Sequence, residues 1–162
     1  MTLKVLANIP KMDDQALSRL FINAQKMHSI NNDQNAGLVL DAIKKEWAKR
    51  LELFEQNKYK ASSPEQGVLH MVGYRVGNDG EKTAFRRHML DFIISDILPP
   101  VGSPAHMAEW GNPLSYNRYR KLHRVIRVLA SRGKTMGNMD KAVSEWENDL
   151  LYLEEFWRPK VK

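Results

Sequence analysis

Apolar residues recur along this chain every three or four positions, a spacing that predicts helices over nearly its whole length. Leu17, Leu20, Phe21, Ala24 and Met27 form one stripe behind Asp13 and Asp14, which open a first helix. A polar run from Ser29 to Asn35 breaks it. Val39, Ile43, Trp47, Leu51 and Phe54 then form the ridge of a second helix, from about Asp33 to Gln56. At 1.5 Å per residue it is about 35 Å long. Ser62-Ser63-Pro64-Glu65 reads as a helix start, a serine cap followed by proline and an acid, for a short third helix reaching about Val72. A fourth runs from Thr83 to Leu98 and is stopped by Pro99-Pro100.

A short helical turn follows, around Pro104 to Trp110, and stops at Gly111. A sixth helix runs from about Ser115 to Ser131 and ends near Gly133, with Asn112 or Ser115 as its cap. The seventh runs from Met139 to about Trp157. Strand-like alternation is missing; its best candidate, Val68 to Val76, has a helix start in front of it. There is no internal repeat and no long heptad run. The expected fold is therefore all-α: a single bundle of six or seven helices over residues 1–162, joined by Gly- and Pro-rich turns. The alternative is a helix pair over 13–57 that forms a separable lobe packed on a helical core 62–158.

Composition adds limits to this pattern. A chain of 162 residues that is 43% hydrophobic and 27% charged falls in the globular range. The absence of cysteine removes disulfides, thiolate ligands and cysteine nucleophiles together. MTLKVLANIPKM has too short an apolar run for a secretory signal, and nowhere do 18 apolar residues follow one another. A bacterial-type cytoplasmic protein is expected, with no membrane partner. The net charge of +6 suggests an acidic partner such as DNA or RNA.

The most enzyme-like stretch is GYRVGNDGEKT, Gly73 to Thr83, whose end is one residue away from the Gly-Lys-Thr of a phosphate-binding loop. Glu81 intervenes between glycine and lysine, and position 75 is arginine where that loop requires glycine. No βαβ alternation is available to hold such a loop. It reads as a glycine-punctuated connection between helices. His28, His70, His88, His106 and His123 are too scattered for a metal site. His88 and Asp91 are helical neighbours with no nucleophile beside them. No catalytic residue, metal or cofactor is expected.

Charge is more informative. On the fourth helix Arg86 and Asp96 fall inside the apolar arc of Phe85, Met89, Phe92, Ile93 and Ile97, so each needs a partner or an escape to the edge. Between Trp110 and Met139 there are seven basic residues and no acid, while Asp140 to Glu155 holds six acids and one lysine. On the sixth helix Tyr119, Leu122, Ile126 and Leu129 share one side. Arg120, Lys121, Arg124 and Arg127 take the other, with Arg118 and Arg132 at its edge. The seventh helix keeps Met139, Val143, Trp146, Leu150, Leu153 and Trp157 for its core contact, which favours acids turned outward and a free basic face over the alternative, a basic face covered by the acidic helix.

GYRVG, FRRHML, LPPV, EWGNPLSYNR and AVSEWENDLLYL, with DDQALSRLFINA and EWAKR before them, resemble a family of uncharacterised bacterial proteins. The resemblance implies a stand-alone or appended helical module and assigns no catalytic residue. The expected function is a non-enzymatic module that contacts nucleic-acid phosphates through Arg118, Arg120, Lys121, Arg124 and Arg127, with Arg86 or Arg87 contributing from the fourth helix. The alternatives are a protein-interaction or homodimerisation module using exposed Trp, Tyr and Met, and an enzyme of unrecognised type built around Arg86.

Overall fold

The computed structural model describes residues 2–61 and 67–162, and every regular element in them is helical. Among the described residues there are eight α-helices: α1 (Thr2–Asn8), α2 (Asp14–Asn31), α3 (Gln34–Glu55), α4 (Val68–Val72), α5 (Thr83–Ser95), α6 (Pro104–Ala108), α7 (Tyr116–Lys134) and α8 (Asp140–Tyr152). A 3₁₀ turn at Ile9–Lys11 follows α1, and a wider π turn at Leu153–Trp157 continues α8. The chain is all-α, as its periodicity predicts. The serine–proline start expected at 62–65 lies outside the described residues.

Two compact units divide the chain, one from Met1–Gly73 with Ile97–Met107, the other from Tyr74–Asp96 with Ala108–Lys162. In the first unit α2 packs on α3. Asp13 caps α2, its carboxylate accepting from the Ala16 N–H at 2.7 Å, and Asp33 caps α3 in the same way through Asn35 N–H at 2.9 Å. Asn32 makes the corner between them in the left-handed conformation, with φ of 53°. Leu17, Phe21, Ile43 and Trp47 are buried, and the Phe21 and Trp47 rings lie 4.8 Å apart. Arg50, buried on α3, holds Asp14 at 3.0 Å and Glu46 at 2.9 Å, and donates to the Met12 carbonyl; Tyr59 donates to Asp14. Periodicity had placed neither Arg50 nor Asp14 inside.

The second unit is built on α5, α7 and α8. Phe85, Met89, Leu90, Ile93, Leu122, Ile126, Trp146 and Leu153 are buried in it. Helix α5 ends at Ser95, earlier than the prolines would stop it, because Asp96 is already extended with φ of −130°. Helix α7 runs three residues past Ser131 and ends at Lys134, next to Gly133 as expected. Gly133 also serves the α7–α8 contact: a Cβ there would stand 2.8 Å from Val143 Cγ2 and 3.0 Å from the Trp146 ring.

The glycine stretch before α5 is a turn with fixed partners. Gly77, at φ of 89°, donates its N–H to Glu145 Oε1 at 2.9 Å, and Glu81 N–H closes the turn on the Arg75 carbonyl at 2.9 Å. A carboxylate thus occupies the backbone donor that a phosphate loop would offer. Glu145 and Asp149 correct the expectation that the acids of the last helix face outward. Asp149 is fully buried, accepting from Tyr74 OH at 2.6 Å and from Arg86 Nε at 2.8 Å.

Candidate functional site

Helix α7 begins where Ser115 accepts from the Arg118 N–H at 3.1 Å, its hydroxyl donating in turn to the Asn112 carbonyl at 2.6 Å. Gly111 precedes it at φ of 66°, in the left-handed conformation expected of it. Trp110 is buried beside this corner. From that start, Arg120, Arg124 and Arg127 stand at i, i+4 and i+7, and 100° per residue keeps the three within a narrow stripe of the helix surface.

These three arginines line a groove of about 750 Å³ together with Lys121, His123 and Asn117. Ala108, the last residue of α6, and Glu109 just after it complete it. Arg120, Arg124 and Arg127 are exposed. Among the described residues none gives these guanidinium groups an ion pair or a hydrogen bond. The nearby acids are committed elsewhere. Glu109 holds Lys121 at 2.6 Å, Glu154 holds His123 at 2.9 Å, and Glu147 reaches Lys134 at 2.7 Å. Lys121 also stands 5.9 Å from the centre of the Trp110 ring. A groove walled by three unpaired guanidinium groups concentrates positive potential where part of the solvent is excluded, the condition for holding an anion.

Two sequence-predicted site residues are corrected. Arg118 sits inside the unit, 4% exposed, not on the edge of the basic face. Its guanidinium donates to the carbonyls of Ile93 (2.6 Å), Asp96 (2.8 Å), Gly111 (3.0 Å) and Trp110 (3.1 Å). It thereby ties the end of α5 to the start of α7, and burial pushes its pKa down to about 10. Arg86, 1% exposed, is the hub of a buried cluster: Asp149, Glu145 and the Glu81 carbonyl take its donors. Burial alone would lower its pKa, but the carboxylates of Asp149 and Glu145 outweigh that and hold it above the usual value. Neither guanidinium is offered to a ligand.

Arg87 is half-buried and stacks over the Tyr152 ring at 4.8 Å, outside the lining of the groove. Asp91, paired with His88 in the sequence reading, accepts from Tyr152 OH at 2.6 Å and Trp157 Nε1 at 2.7 Å. All four tryptophans are buried, which removes them from any contact surface. Among the described residues no group of three or more His, Asp or Glu is placed to hold a metal ion, and no helix is long and apolar enough to cross a membrane. The sequence pattern found Arg120, Lys121, Arg124 and Arg127. It missed the groove, because Ala108 and Glu109 come from the end of α6 and the turn after it, and only the fold brings them alongside.

No family model, curated protein or solved structure matches this chain, so the resemblance drawn from its motifs stands on those motifs alone.

Proposed function

We propose that the protein is a non-enzymatic nucleic-acid-associated module whose α7 groove holds backbone phosphates. The observation that carries this reading is the set of three exposed, unpaired arginines on one stripe of one groove. Guanidinium groups bind phosphate oxygens two at a time, and each phosphate neutralised releases counterions. Lys121 joins them when a phosphate displaces it from Glu109.

The test is affinity for DNA and RNA across a salt series. With three or four phosphates engaged, the slope of log K against log salt is about −3. Substituting Arg120, Arg124 and Arg127 together by Gln brings the slope toward zero, each arginine removing about one unit. The reading fails if micromolar protein binds neither DNA nor RNA at low salt, or if the triple variant binds like the parent.

A protein-contact role is the second reading. It is favoured by exposed apolar side chains around the α2–α3 corner, Met27 at 46%, Ile30 at 72% and Leu38 at 55% exposure. Light scattering separates the two: a dimer abolished by Ile30→Glu but untouched by the arginine substitutions favours protein contact.

A further inference from the structure

From the way the groove is walled we infer that its partner is duplex nucleic acid gripped by charge density, without base reading and in preference to single strands; the inference rests on the phosphate-binding reading above. Single-strand binders combine a basic track with aromatic rings on which successive bases stack. This groove has the track without the rings, for no Phe, Tyr or Trp lines it.

The rings close to it are committed. Trp110 and Tyr119 are buried. Tyr116 carries the Arg158 guanidinium over its ring at 4.8 Å. The one ring in the lining, the His123 imidazole, is held by Glu154 at 2.9 Å and packs 5.7 Å from the Tyr119 ring. An unpaired strand entering the groove would find phosphate partners and no aromatic stacking platform, and a guanidinium group engaged with a phosphate is not free to stack on a base.

Concavity points the same way. A helix that reads bases projects its side chains into the major groove from a convex surface. The arginines of α7 instead line a hollow, which receives a convex ridge, and a duplex offers such a ridge in its phosphate backbone. Arg120 to Arg127 covers about 10 Å of helix, a length that spans more than one phosphate of a strand.

The experiment titrates the full chain against a fluorescent short duplex and against oligo-dT of the same strand length, at one low salt concentration. A pair of duplexes, one AT-rich and one GC-rich, is run beside them. The expected result is duplex binding about tenfold tighter than oligo-dT, with the two duplexes within about threefold of each other. Oligo-dT binding as tightly as duplex, or tighter, overturns the inference while leaving phosphate binding intact. A large preference between the duplexes overturns it too, because bases are then being read. If no probe binds, the phosphate-binding reading falls and takes the inference with it. The triple arginine-to-glutamine variant, checked by circular dichroism for unchanged helix content, is expected to lose the duplex preference. Retention of that preference places binding elsewhere and overturns the assignment to this groove.

Discussion

Asp149 holds Arg86 and Tyr74 at once from a fully buried position. Removing one member of a buried pair leaves the other charged and short of solvent, a cost of about 3–5 kcal/mol. Glu145 still reaches Arg86, so Asp149→Asn falls at or below the low end of that range, about 2–3 kcal/mol by urea denaturation. Glu147→Gln, which breaks the exposed pair to Lys134, changes stability by under about 0.5 kcal/mol. Equal effects from the two substitutions would contradict this assignment. Glu109→Gln separates binding from stability. It releases Lys121 into the groove and removes a carboxylate from its lining, so phosphate affinity rises by about threefold to tenfold with stability unchanged. Weaker binding would mean that Glu109 positions Lys121 rather than competing for it. Arg86 was legible as a buried charge because it lies inside an apolar arc, but its partners were not. Asp149 and Glu145 sit about sixty residues away, and the helical pattern of α8 carries no mark of which acids turn inward.

Helices α7 and α8 meet across Gly133, and here two element-level effects oppose each other. Alanine is preferred over glycine inside a helix by about 1 kcal/mol. The added methyl, however, would stand 2.8 Å from a branched valine side chain that has little freedom to move, with the Trp146 ring close behind. Overpacking of this kind costs about 1–3 kcal/mol, so Gly133→Ala is expected to destabilise by about 1 kcal/mol net. A stabilised variant, by thermal or urea melting, would show that the helices separate readily. The same glycine has a second role that the pattern of elements does not carry. Near the end of a periodic segment it signals a stop, and only the proximity of Val143 and Trp146 shows that it is a packing residue. Caps were more legible because they are local: Asp13, Asp33 and Ser115 each satisfy a donor two or three residues ahead. Arg118 was misplaced for the opposite reason, since the carbonyls that draw it inward come from α5 and the Gly111 corner.

For the molecule as a whole, the charge surplus is modest in both units, and what sets α7 apart is local concentration. Buried phenols produce a property of the entire chain. Burial, followed by the neighbouring carboxylate of Asp14, Asp149 or Asp91, raises Tyr59, Tyr74 and Tyr152 respectively, and burial raises Tyr119 as well; the ordinary value is 10.0. In the folded protein these four phenols keep their protons at a pH where the unfolded chain has released them. The folded state then binds more protons, so their contribution to stability is fully present below about pH 10 and declines as pH climbs beyond it. Arg118 acts in the opposite sense, because burial lowers it to about 10, but it is one group against four. Arg50 and Arg86, both raised, remain charged and reinforce the decline only at still higher pH. Urea midpoints at about pH 8 and about pH 11 are therefore expected to differ, the second being lower. Absorbance titration of phenolate should show most of the five tyrosines ionising only as the protein unfolds. A smooth native titration of all five near pH 10, with an unchanged midpoint, would mean that the Asp14, Asp91 and Asp149 contacts do not hold in solution.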